Sequence, residues 1–331
     1  MAFDKSVYEL AENEIKSRRF SAENRVRFRT EEVERKIPEI AEINRQLAHT
    51  SVELSKLILQ KTGNFRESFD KIKDQNIQGQ EMIAKLLIKG GYPEDYLAPV
   101  YTCPVCCDKG YYDGHRCSCF DKLLNRFAVE KLNAEANMPN CDFGHFSLSY
   151  YQGKTDSNGT DCYQKMSENL DYCKGYAEKF SRNSPSLFLL GKTGVGKTHI
   201  SLSIAKEVTE HGFTAAYGSI LNYLRIIEKE HFGRAEDSSA DTMQVLINTD
   251  LLILDDLGSE FQTGFYESAL YNIINSRINL GLPTIISSNL SVPELQKRYN
   301  DRVISRIFGV YTMLMFVGED VRQIKRLRGE I

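Results

Sequence analysis

The 331-residue chain has no tryptophan, only eight prolines and no excess of positive charge, with 42 Lys and Arg set against 45 Asp and Glu. That balance excludes a protein that binds nucleic acid through a global basic field, so any such contact has to come from a local patch. No apolar run approaches the roughly 18 residues that a membrane-spanning helix needs. The opening Met1-Ala2-Phe3-Asp4-Lys5 is not that of a secretory signal. These absences predict a cytoplasmic protein with no membrane partner. Thiols stay reduced in that compartment, so the eight cysteines point to metal or to buried thiols rather than to disulfides. What is present suits a folded core: 41% of residues are hydrophobic, and the length allows one large or two medium domains.

Residues 1–98 read as a helical region. Ile40, Ile43 and Leu47, then Leu54, Leu57 and Ile58, recur mostly at three- and four-residue spacings. Gly90-Gly91-Tyr92-Pro93 closes this pattern. Residues 99–135 hold a cysteine-rich knot and a following helix. From 136 to 331 apolar strands alternate with amphipathic helices, which predicts a wound parallel sheet of the α/β class. Strands are expected at 186–190, 214–217, 250–254, 283–287 and 311–317. The helices between them are expected at 162–181, 197–211, 219–231, 264–280 and 293–306.

The most informative stretch is Gly191-Lys192-Thr193-Gly194-Val195-Gly196-Lys197-Thr198. It follows the apolar run 186–190 and leads into an amphipathic helix, the context in which G-x-x-x-x-G-K-T cradles phosphate. The glycines let backbone N–H groups face the phosphates, and the helix N-terminus adds its positive dipole end. Lys197 is then expected on the β- and γ-phosphates and the Thr198 hydroxyl on Mg²⁺. Downstream, Leu251-Leu252-Ile253-Leu254-Asp255-Asp256 ends a buried strand in two carboxylates. Asp255 is the candidate for Mg²⁺, and Asp256 for polarising the attacking water. Asn289 stands at the tip of the next strand, placed to hydrogen-bond both that water and the γ-phosphate. Arg302 and Arg306, four apart on one helix face, are candidates to reach a neighbouring subunit's phosphate.

With these motifs in order, the chain resembles the AAA+ ATPases of the DnaC/DnaI helicase-loader and IstB type, over about residues 140–320. The resemblance rests on GKTGVGKTH, LLILDDLG, PTIISSNL and DRVISRIFG. It implies a P-loop AAA+ domain that uses ATP and Mg²⁺, with Asp256 as the catalytic acid, Asn289 as the phosphate sensor and Arg306, with Arg302 beside it, as the trans-acting finger. It also implies that the aromatic segment Phe143-Gly144-His145-Phe146 and Tyr150-Tyr151 helps to seat adenine. The segment 219–230 resembles helices that line a pore for single-stranded DNA, with Tyr223, Arg225 and Lys229 as contacts. The basic stretch Val321–Arg328 either touches DNA or places positive charge at the end of a terminal helix.

Cys103-Pro104-Val105-Cys106 and Cys117-Ser118-Cys119 form C-x2-C and C-x-C pairs ten residues apart, a spacing that suits tetrahedral Zn²⁺. His115 and Cys107 are spare donors, so a set with one of them replacing a ligand stays open. Lys109, Arg116 and Lys122 stand ready to ease thiolate formation. DnaI-like loaders resemble the chain in carrying such a module ahead of the ATPase. The leading expectation is a loader of the replicative DNA helicase onto single-stranded DNA, which self-associates through its ATPase domain and uses hydrolysis as a release switch. The alternatives are an IstB-like ATPase helper of a transposase and an adaptor whose ATP site serves only as an assembly clamp. The last rests on Asp256 standing where many ATPases have Glu.

Overall fold

The computed structural model describes residues 3–60, 65–135, 141–233 and 241–330, the side chains of 51–60, 65–68 and 135 excepted. Leu54, Leu57 and Ile58 therefore lie outside the described side chains. The chain forms two compact units: Glu12–Phe120, and Met1–Ala11 with Asp121–Ile331.

The first of these contains most of α1 (Lys5–Lys36), with α2 (Pro38–Gln60) and α3 (Phe65–Lys89). Pro38 opens α2 at the position where its missing N–H costs nothing. Val33, Ile40 and Leu87 form a small buried core, with Ile37, Ile83 and Tyr92 packed against it. The solvent face of α1 carries i,i+4 ion pairs such as Arg19–Glu23 and Lys36–Glu32, which add little individually because they are exposed. The cysteine module ends the unit, built around a two-stranded hairpin of β1 (Tyr111–Tyr112) and β2 (His115–Arg116).

The second unit is a three-layer α/β domain. It adds α4 (Ser118–Glu135, which begins in the other unit), α5 (Cys162–Glu178), β3 (Leu187–Leu190), α6 (Lys197–Glu210), β4 (Ala215–Ser219), α7 (Ile220–Phe232) and α8 (Thr242–Asn248). Then follow β5 (Leu251–Leu257), α9 (Gly264–Leu280), β6 (Thr284–Ser288), α10 (Val292–Arg298), α11 (Asp301–Val310), β7 (Thr312–Met315) and α12 (Val321–Leu327). All five strands run parallel in the order β4-β5-β6-β3-β7. β3, β4, β5 and β6 are buried almost throughout because helices cover both faces. Leu187, Leu189, Ile253 and Ile285 share a core with Met166 and Leu170 of α5 and Ile200 and Ile204 of α6. On the other face Phe188 meets Phe308 of α11 edge-on.

Side-chain amides close both edges of the sheet. Asn133 of α4 donates to the Ala215 carbonyl and accepts from the Tyr217 N–H, standing in for a sixth strand beside β4. Buried Asn169 of α5 donates to the Met315 carbonyl beside β7. The first of these contacts explains why residues 121–135, grouped with the cysteine module by sequence, cluster with the sheet; the expected start at 136 lies outside the described residues.

Two expectations need correction. The stretch 293–306 is two helices, because Tyr299 turns inward to bond buried Glu260 and Asn300 then caps α11 with its side chain. Tyr223, proposed as a DNA contact, is only 3% exposed and its ring lies under Gly218, so it belongs to the core. The sequence reading also missed α8 and the group that fixes it. Fully buried Arg277 donates to the carbonyls of Leu246, Ile247, Thr249 and Pro283 and to the Thr284 hydroxyl. Burial lowers its pKa to about 9, still above neutrality, so a cation staples the end of α8 to the starts of β5 and β6.

Candidate nucleotide site and cysteine cluster

The phosphate loop leaves the C-terminal end of β3, between β6 and β7, where ligand clefts form in open parallel sheets. Gly194 and Gly196 have φ of +79° and +92°, a conformation that costs other residues about 1–2 kcal/mol. Contact demands glycine there as well. A Cβ on Gly194 would lie 2.0 Å from the Asp320 carboxylate, and one on Gly196 would lie 2.7 Å from the Phe146 ring. Val195 is buried and its carbonyl accepts from the Tyr151 hydroxyl at 3.1 Å. Lys197 opens α6 and donates to the carbonyls of Gly191 and Lys192 at 2.7 and 2.9 Å and to Asn289 Oδ1 at 2.5 Å. Burial lowers its pKa to about 8, against the pull of Asp256 and Asp255.

Asp255 is buried and saturated by hydroxyls. Thr198 and Tyr217 each donate to Oδ2 at 2.9 Å, and Ser287 donates to Oδ1 at 2.5 Å. Asp256 lies half-buried in the cleft, where Asn289 Nδ2 donates to its Oδ1 at 3.1 Å. Burial raises its pKa, and the neighbouring Asp255 raises it further. A polar chain thus runs from Lys197 through Asn289 to Asp256, joining the phosphate loop to the two strands beside it. The paired oxygens of Thr198 and Asp255 are the hard donors that Mg²⁺ takes.

One wall of the cleft is the segment before the sheet: His145, Phe146, Tyr150 and Tyr151 line it together with Thr193, Lys197 and His199. Asp142 fixes this wall by accepting from His145 and Lys206 side chains, while its carbonyl meets His199 Nε2 at 2.8 Å. A further part of the lining was missed in the sequence. Asp320 caps α12, the Val321 N–H donates to the Gly194 carbonyl, and Arg322 and Lys325 line the cleft. Lys325 and Arg328 also lie over the Tyr150 ring. Part of the basic stretch assigned to DNA or to a helix end therefore faces the nucleotide cleft. Arg302 and Arg306 are exposed on α11 and are not among the residues lining their own chain's cleft.

Residues 160–308 match the sequence model of the family described as IstB-like ATP binding protein. The replicative helicase loader DnaC of Escherichia coli K12 is 23% identical over 186 residues, which are 56% of this chain and 68% of that protein. The α/β unit is thus similar to IstB-like ATP binding proteins and to DnaC-type helicase loaders. The replicative helicase loader DnaI of Bacillus subtilis is 30% identical over 131 residues, 39% of this chain and 40% of DnaI. A crystal structure of the DnaC helicase loader aligns over 53% of this chain and 98% of its own, at 22% identity and a TM-score of 0.43. The cleft lies within the stretch that matches an ATP-binding family, in a P-loop α/β domain.

Four thiols converge in the other unit. The Sγ atoms of Cys103, Cys106, Cys117 and Cys119 all lie within 4.8 Å of one another. Cys103 and Cys117 are 3.7 Å apart, and Cys106 and Cys119 are 3.4 Å apart. A Zn–S distance of about 2.3 Å in a tetrahedron gives S···S separations of about 3.8 Å, so the set fits Zn²⁺. Neither spare donor joins it: Cys107 turns its thiol toward the Pro104 carbonyl, and His115 sits exposed on β2. The C-x2-C turn is held by buried Asp108, whose carboxylate accepts from the N–H groups of Thr102 and Cys103. The Cys103 pKa falls to about 7, chiefly through the backbone N–H of Cys106 rather than through the nearby lysines expected to do this. Burial pushes the Cys119 pKa up. Among the described residues no helix is long and apolar enough to cross a membrane.

Proposed function

We propose that the chain loads a replicative helicase onto single-stranded DNA, with ATP binding assembling the loading complex and hydrolysis releasing it. One observation carries this reading. An ATPase unit whose relatives are named replicative helicase loaders shares a chain with a second unit that holds a helical hairpin and a four-thiol cluster. The unit with the helical hairpin and cysteine cluster, residues 1–98 and the cysteine module in the sequence division, grips the helicase. Copies of the ATPase unit associate on the DNA in the cytoplasm.

In the ATP site Lys197 and the loop from Gly191 to Gly196 hold the phosphates, and Thr198 with Asp255 holds Mg²⁺, which neutralises phosphate charge when bound. Asp256 accepts a hydrogen bond from the attacking water and orients it in line with the γ-phosphate. Asn289 already links Lys197 to Asp256 and reports the phosphate to the acid. Exposure of Arg302 and Arg306 suits a guanidinium offered to the next copy's γ-phosphate, with Arg306 as the finger. Zn²⁺ on Cys103, Cys106, Cys117 and Cys119 locks the module's fold.

The match to the IstB-like family favours a transposase helper as the second reading. Size-exclusion chromatography with light scattering separates the two. A complex of the full chain with the replicative helicase of its own cell, formed in ATP, supports the loader. Absence of that complex in every nucleotide state overturns it and leaves the transposase helper.

A further inference from the structure

The two carboxylates occupy a break in the sheet. Leu254 pairs with Ile286 and Leu257 with Ser288, so Asp255 and Asp256 together oppose the single residue Ser287. Such a bulge re-aims side chains, and Asp256 carries its signature in a φ of +59°, where an L-residue is strained. Neighbouring side chains on a regular strand point to opposite faces. Here Asp255 reaches Thr198 while Asp256 reaches Asn289 and the cleft, so both serve the phosphate loop. In the bulge a side chain meets the Asp256 N–H. Ser287 supplies it: its Oγ accepts from the Asp256 N–H at 3.0 Å and donates to Asp255 Oδ1 at 2.5 Å. The hydroxyl is wholly buried, so no solvent shares these bonds. Two residues on, just past the end of the same strand, Asn289 holds the Asp256 carboxylate.

We propose that Ser287 is a positioning residue for the acid pair, its hydroxyl pinning the bulge so that Asp255 and Asp256 face Mg²⁺ and water at once. This rests on reading the cleft as an ATPase site. Ser287 touches neither nucleotide nor metal and acts only through the two acids. Alanine takes this acceptor from the Asp256 N–H and frees Asp255 to turn, while threonine keeps the hydroxyl.

The test compares the full-length wild type with Ser287→Ala, Ser287→Thr and Ser288→Ala. Ser288 is equally buried, but its hydroxyl donates to the Leu257 carbonyl and accepts from the Leu290 N–H, with no bond to either acid. ATP affinity is titrated with and without Mg²⁺, and single-turnover hydrolysis is followed alongside. For Ser287→Ala the expected result is Mg²⁺-free ATP affinity within about twofold of wild type. Its Mg²⁺ half-saturation rises and its hydrolysis rate falls, each by about 10- to 100-fold, the worth of one hydrogen bond to a charged group. Threonine restores both, and Ser288→Ala changes neither. Wild-type Mg²⁺ dependence in Ser287→Ala overturns the proposal, as does an equal loss in Ser288→Ala. If the wild type binds ATP but never hydrolyses it, the ATPase reading fails, and the Mg²⁺ titration still decides the role of Ser287.

Discussion

The nucleotide cleft and the cysteine module hold their reactive groups by opposite means. In the cleft the central lysine and acid pair have partners within the protein: Lys197 has three acceptors, Asp255 three hydroxyl donors, Asp256 an amide. Those partners stand on buried parallel strands, on the loops that leave them and on the first turn of α6, all held by the core. In the cysteine module the four thiols face chiefly one another, flanking a hairpin of two residues per strand. A site built on a sheet is organised by folding alone. A site built on a short hairpin has to draw its folding energy from the ion it holds.

Removing the metal is the strongest way to break this comparison. Structural zinc contributes about 10–16 kcal/mol in small modules. Chelation, or Cys106→Ser, is therefore expected to unfold residues 101–119 while β3, β5 and β6 keep their protection in hydrogen exchange. Retained protection of residues 101–119 after chelation would mean that the module does not stand on a metal.

The sheet has its own point of failure in Arg277. Arg277→Met strands four buried carbonyls and a hydroxyl and is expected to cost about 3–5 kcal/mol in denaturant unfolding of the α/β unit. The zinc content should stay unchanged. Within the cleft, Lys197→Ala removes the cation on the phosphates and should weaken ATP binding by about 10- to 150-fold in calorimetry, with little change in unfolding midpoint.

The smallest effect is one of pH. The Lys197 pKa is lowered to about 8, and bound phosphates raise it again by favouring the ammonium. Below about pH 8 the lysine is protonated in both states, so its contribution to affinity is flat. Above that pH binding has to take up a proton, and ATP affinity falls by up to about tenfold per unit until the pKa of the complex is reached. Titration from pH 7 to 9.5 should show this fall in the wild type and not in Lys197→Ala.

Much of the site was legible because its chemistry is local. Gly191–Thr198 carries its own strand, turn and helix, and two acids at the end of an apolar strand need no distant residue to be noticed. The C-x2-C and C-x-C spacings likewise name four ligands, and geometry only had to leave out His115 and Cys107. Less legible were groups whose role depends on distant partners. Arg322 and Lys325 read as a basic tail, yet α12 returns to the phosphate loop through Asp320 and Val321. Tyr223 had the helical spacing of a surface contact, and its burial under Gly218 follows from how α7 lies against β4.

By itself, then, the sequence determined the phosphate loop, the parallel α/β sheet, the order of the strands along the chain and the thiol set, because short-range periodicity and turn chemistry encode them. Only the tertiary structure decided that one cation staples α8, that two asparagines close the sheet's edges and that Ser287 faces two acids at a bulge. Those depend on which strand lies beside which, and on a register shift of a single residue. No pattern within a window of sequence records either, since both are fixed when the whole sheet packs.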